Sequence, residues 1–339
     1  MHEPAVPAQS TALIDRLGLA MRASHVLVLI FVVGGIVFAA LGTAMGDTFF
    51  LRLATEALIF AGLALSVDIL LGYTGLLSLG QALYFGLGAY VSAVVLKQVA
   101  SFWAAMAAVL LVSLVVGLLA GLIANRVRGV YFALVTFGLA QVVAKAVYNT
   151  RALGASDGMI GVPIVPVDLG LVVVMSNAPA GFFLVALGVI VVLYALSAYL
   201  LDTPFGRVLV ALRANERRVP FLGYSTRSAR LAAYVLAAVV AALSGALYPM
   251  LRGFVSPELL FFATSGNAVI TVVVGGVGTL AGALYGGVIL TLLKSVVGSI
   301  TQHHLVVIGL LFMATVIFLP KGLLGLVTPR IERLLGRGR

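Results

Sequence analysis

The chain has 339 residues, of which 62% are hydrophobic and 9% charged, and its mean hydropathy is +1.20. Soluble domains carry about 25% charged residues, so this composition excludes an ordinary soluble globule and describes a polytopic membrane protein. The net charge of +10 is not a nucleic-acid footprint, because the basic residues sit in short segments between apolar runs, and the absence of cysteine excludes disulfides, thiol catalysis and thiolate metal sites.

Residues 1–24 carry Pro4, Pro7, Asp15, Arg16 and Arg22 ahead of the first apolar run, with no convincing small-residue cleavage site after it. They read as a cytoplasmic N-terminal tail, not a signal peptide. A membrane helix needs about 20 mainly apolar residues. Spans are predicted over 25–45, 51–71, 76–96, 103–124, 130–148, 181–201, 231–251, 259–274, 279–298 and 305–320, about ten in all, within an all-α membrane domain covering 25–320. With the N-terminus inside, Arg16, Arg22, Arg126, Arg128, Lys321 and the basic residues of 202–230 and of the tail 321–339 fall on the cytoplasmic side. Fusing 259–274 with 279–298 would throw the basic tail outside, so an even count with both termini inside is preferred.

Four interruptions stand out in chain order. The first is Gly72-Tyr73-Thr74-Gly75, followed by Ser78, Gly80 and Gln81. Irregular backbone at membrane depth is tolerated only where protein buries it or it lines a wet cavity. The second is the external loop 149–180, with Ser156-Asp157-Gly158-Met159-Ile160-Gly161-Val162-Pro163, either a lid or docking surface or a plain connector. The third is the charged island 202–230. Thr203 and Pro204 suit a helix start, Pro220 and Gly223 its end, and Phe205, Val208, Leu209 and Leu212 share one face, while Arg207, Arg213, Glu216, Arg217 and Arg218 take the rest. Such a helix can lie against the membrane and offer charges to a soluble partner; a solvated loop that only orients the chain is the other reading. The fourth is Gly275-Gly276-Val277-Gly278-Thr279.

The two glycine-broken elements form a faint repeat, since 81–86 resembles 282–287, and such matching breaks in two halves point to a translocation path. Close helix packing through small residues explains many of these glycines equally well. Candidate path residues are Asp68, Tyr73, Thr74, Ser78, Gln81, Asn267 and Thr279. Glu56, Asp68, Lys145 and Lys294 are ionisable groups inside spans, costly in lipid, although the two lysines can snorkel to an interface.

No phosphate-binding G-x-x-x-x-G-K-[ST] loop, H-E-x-x-H or G-x-S-x-G occurs, and the four histidines do not form a constellation, so neither a catalytic nor a metal site is expected. A passive small-solute channel and an intramembrane enzyme remain as alternatives from other classes. A channel, however, has no use for a docking helix.

Taken in order, Leu70–Gly80, Gly88-Ala89-Tyr90, Gly129–Thr136, Ser156–Pro163, Pro204–Tyr224, Ala246-Leu247-Tyr248, Phe254-Val255-Ser256-Pro257, Gly275–Thr279 and Phe318–Leu323 resemble the permeases of branched-chain amino acid ABC importers, on the side of the M-type subunit. The resemblance runs from about Ala57 to Leu326. It implies a permease that pairs with a homologous second permease, two cytoplasmic ATPases that bind ATP and Mg, and an extracytoplasmic solute-binding protein, in the bacterial inner membrane. It makes 203–225 a coupling segment, with Arg207, Arg213, Asn215, Glu216 and Arg217 toward the ATPase. It also places Ser156, Asp157 and Gly158 near the binding protein. Asp68 stands where branched-chain permeases usually carry Asn, and Gln81 where they carry His or Gly. Asp68 and Lys294-Ser295 resemble the urea branch of the class, whereas 156–163 resembles the amino acid branch.

Overall fold

The computed structural model describes residues 8–46, 48–168, 173–174, 178–300, 304–319 and 322–325. Of the predicted basic tail, all but 322–325 lies outside the described residues, as do residues 1–7. Twelve α-helices follow in order: α1 (Ala8–Met45), α2 (Thr48–Asp68), α3 (Gln81–Val99), α4 (Phe102–Ala124), α5 (Val130–Asn149), α6 (Pro179–Asp202), α7 (Pro204–Asn215), α8 (Thr226–Ala246), α9 (Tyr248–Arg252), α10 (Phe262–Gly275), α11 (Leu280–Ile300) and α12 (His304–Phe318). Strands β1 (Met159–Ile160), β2 (Val167–Asp168), β3 (Val173–Val174) and β4 (Phe254–Val255) are two residues each.

Eight of the described helical segments are long and apolar enough to cross a membrane, and α10 is a shorter apolar helix. The fold is thus an all-α polytopic membrane protein. Helix α1 starts at Ala8, so helix covers most of the segment expected as a tail. Capping follows the sequence at several starts. The Ser101 hydroxyl accepts from the Ala104 amide, and the Ser225 hydroxyl from the Ser228 amide. Leu247 separates α8 from α9, which carries Pro249 in its first turn. The span continues through this junction and stops only at the left-handed Gly253, whose amide donates to the Pro249 carbonyl at 2.8 Å.

Burial sorts the helices. In its most apolar stretch α2 is 78% buried, against 28% for α4 and 17% for α1. Helix α2 is therefore the axis of the bundle, packed by α6, α8, α10 and α11, while α3 and α4 pack on α8. Leu29, Ile30 and Val33 of α1 and Leu111, Val115 and Leu119 of α4 are exposed, as lipid-facing residues must be. Tight crossings rest on small residues. A Cβ on Gly88 would stand 2.0 Å from the Ala242 carbonyl oxygen, and one on Gly245 2.0 Å from that of Phe85, so α3 and α8 approach backbone to backbone.

The bundle has two distinct ends. At the basic end, the Asn125 side-chain amide donates to the Arg227 carbonyl at 3.1 Å, and Arg230 donates to the Asn125 carbonyl at 3.3 Å, which ties the α4–α5 turn to the start of α8. At the opposite end, β1 pairs antiparallel with β4, Val162 donates to the Gly253 carbonyl, Lys97 to the Ile160 carbonyl at 2.7 Å and Trp103 to the Asp168 carbonyl at 2.6 Å. The 149–180 loop is thereby stitched across the helix ends.

Candidate functional site

The charged island does not form one helix as far as Gly223: α7 is followed by a separate turn and then by the start of α8. Helix α7 stops at Asn215, whose side-chain oxygen accepts from the Arg217 amide at 3.1 Å, and a 3₁₀ turn follows over Val219–Leu222. Pro220, with no N–H to give, cannot continue the helix and instead opens that turn. Nor does Thr203 cap α7: its hydroxyl donates to the Leu200 carbonyl at 2.6 Å, one of the orphan acceptors at the end of α6. The apolar face is as expected, with Val208, Leu209 and Leu212 buried. Arg207, Arg217 and Arg218 are exposed, and Phe221 in the following turn is 90% exposed.

Arg213 is exposed as well, but its guanidinium donates to the Gly72 carbonyl. Gly72 belongs to a π-helical turn, Ile69–Thr74, in which α2 ends. Across the seam Gly278, at φ +82°, donates its amide to Asp68 Oδ1 at 2.6 Å. A Cβ on Gly72 would stand 2.4 Å from Asp68 Oδ1 and 2.7 Å from the Gly278 backbone. The two glycine-rich elements, with Gly72 and Gly278 206 positions apart in sequence, are therefore in direct contact beside one arginine of α7.

Most of the polar residues singled out in the sequence gather at this node. Asp68 is wholly buried, with Oδ2 free of any hydrogen bond among the described residues. The Thr74 hydroxyl donates to the Leu70 carbonyl at 2.6 Å and accepts from the Leu76 amide, and that of Thr279 donates to the Gly276 carbonyl at 2.7 Å. Tyr73 is half-buried beside them. Ser78 and Gln81 are buried just above, with the Ser66 hydroxyl 3.5 Å from Gln81 Oε1. Glu216 pairs at 3.3 Å with both Arg128 and the buried Arg230, which holds the end of α7 to the α4–α5 turn and to α8.

Asn267 lies elsewhere. It lines a cavity of about 430 Å³ among α2, α9, α10 and α11, together with Glu56, Arg252, Thr271, Thr291, Lys294 and Ser295. Arg252 donates to Glu56 Oε2. Sequence reading noticed Glu56 and Lys294 as ionisable residues inside spans but missed Arg252, which falls one residue past the predicted span 231–251. Its signal was the Glu56 that needed a partner. On the same end, the Ser156 hydroxyl donates to Asp157 Oδ1 at 3.1 Å, and Gly158, at φ +74°, passes so close to the Val255 carbonyl that a Cβ would stand 2.0 Å away.

A sequence profile described as branched-chain amino acid transport system / permease component matches residues 49–316, most of the chain. The chain belongs to this permease family. It is similar to the high-affinity branched-chain amino acid transport system permease protein LivM of Salmonella typhimurium, at 28% identity over 309 residues, 85% of this chain and 72% of that protein. LivM of Escherichia coli K12 gives 28% identity over 302 residues, covering 83% and 71%. The permease protein LivH of the same organism is 28% identical over 142 residues, 41% of this chain and 45% of LivH. No solved structure matches the chain. All four interruptions of the permease lie inside the matched region, node and cavity included.

Proposed function

We propose that the permease is the translocating subunit of a bacterial ABC importer for branched-chain or related amino acids. Its basic end lies in the cytoplasm, as the distribution of arginine favours, with both termini on that side. The relatives named LivM and LivH support pairing with a second, homologous permease. Two ATPases that bind ATP and Mg supply the energy, and an extracytoplasmic binding protein delivers the solute to the end where Gly158 packs against β4, next in sequence to Ser156 and Asp157. The observation that carries this reading is the placement of α7. With the turn that follows it, α7 offers Arg207, Arg217 and Phe221 outward, while Arg213 reaches the seam between the glycine-rich elements. An ATPase that moves α7 moves both elements.

Co-purification with an ATPase pair and ATP-driven uptake of L-leucine into proteoliposomes test this. If the purified chain alone carried solute downhill at channel rates and bound no ATPase, the importer reading would be lost. Within the importer, Arg207→Glu with Arg217→Glu should weaken ATPase association, whereas Arg213→Glu should leave association intact and uncouple ATP hydrolysis from uptake. A second reading, an importer of urea or a short amide, is favoured by Asp68 and by Lys294-Ser295; competition of leucine uptake by urea separates the two.

A further inference from the structure

At the end of the bundle remote from α7, the cavity among α2, α9, α10 and α11 holds groups of both charges. Glu56 lies about two turns into α2, Arg252 ends α9, and Lys294 stands on the facing wall of α11. Glu56 is paired with Arg252, but among the described residues no carboxylate pairs with Lys294. A second cavity of about 410 Å³ shares Glu56, Arg252 and Ser295 and reaches Arg52 at the start of α2. Around these two adjoining cavities the cations are Arg52, Arg252 and Lys294, against the single carboxylate of Glu56.

Charges at this depth are costly in hydrocarbon and belong to a water-filled or protein-covered space. The volume lies within the roughly 300–1,000 Å³ of small-molecule sites. An excess of positive charge attracts a carboxylate, and a carboxylate in the same wall receives an ammonium group. A neutral amide would need neither, and an anion without an ammonium group would be repelled by Glu56.

We infer that this cavity is a recognition site for a zwitterionic α-amino acid, whose carboxylate meets Lys294 and Arg252 and whose ammonium group meets Glu56. The inference rests on the importer reading and adds the place in the bundle where the solute is read and the residues that read it. Asn267 and Thr291 complete the wall with neutral hydrogen-bonding groups.

The permease has no cysteine, so Thr291→Cys introduces its only thiol. In the assembled importer, held in nanodiscs with partner subunits freed of cysteine, that thiol should react about tenfold faster with an anionic than with a cationic methanethiosulfonate. Lys294→Gln should reduce the preference, since Arg52 and Arg252 still outnumber Glu56. L-leucine at ten times its dissociation constant should slow labelling about tenfold, and urea at the same concentration should not; Glu56→Gln should remove the protection. Ser295→Cys repeats the measurement from the same wall if Thr291→Cys does not assemble. Equal rates with the two reagents and no protection by L-leucine overturn the inference, as does protection by urea alone. The labelling needs no ATP. ATP-driven leucine uptake by the unmodified importer reports separately on the importer reading, so the site can fail while import persists.

Discussion

At the basic end of the permease the Gly278 amide meets the wholly buried Asp68 at 2.6 Å, under an arginine that reaches in from α7, whereas at the opposite end Glu56, Arg252 and Lys294 stand around about 430 Å³ of open space. Both regions place ionisable groups within the bundle. The node leaves no room at its centre: neighbouring atoms already occupy the space a single methyl group on Gly72 would need. Packed groups of this kind transmit displacement and do not absorb it. The cavity has room and a surplus of cations, which suits a ligand that comes and goes. The same cost of charge in a membrane is met by tight packing at one end and by the Glu56–Arg252 pair beside open space at the other.

The comparison can be broken most severely at Gly72. Gly72→Ala should lower stability by about 1–3 kcal/mol or more through overpacking, seen as a fall in the thermal midpoint of the purified permease and a loss of uptake; an unchanged midpoint with full uptake would mean that the node is loose. Next is Asp68→Ala, which strands the Gly278 amide and should cost about 1–3 kcal/mol. Asp68→Asn, which keeps an acceptor oxygen, should recover most of that loss in the same melting assay. Glu216→Gln is milder. Glu216 is 27% exposed although Arg230 is only 3% exposed, so we expect about 1 kcal/mol in the same melting assay. The smallest effect on stability should come from Arg252→Gln, whose side chain is 45% exposed, at less than about 1 kcal/mol. Its KM for leucine uptake should nonetheless rise, which sharpens the contrast between a packing site and a ligand site. A large drop in melting temperature with normal KM would reverse the assignment.

The helices were largely legible because a membrane span announces itself by about 20 apolar residues. Even the short α10 and the break before α11 emerge from Gly275-Gly276-Val277-Gly278, where glycine can take the positive φ that Gly278 shows. The buried face of α7 followed from the spacing of Val208, Leu209 and Leu212. Its C-terminal limit did not, because Pro220 stops a helix without saying how many residues earlier the chain departs from it.

The sequence by itself determined the class, the apolar helices in outline and a set of polar residues that lipid would not tolerate. It did not determine the number of spans, since about ten were expected and eight described helical segments are long enough to cross. Only the tertiary structure decided how those residues divide, since Asp68 and Gly278 lie 210 positions apart and Glu56 and Arg252 lie 196 apart. Hydropathy acts locally, one span at a time. The partner of a buried charge is chosen by how the helices pack, and no periodicity within a span records that choice.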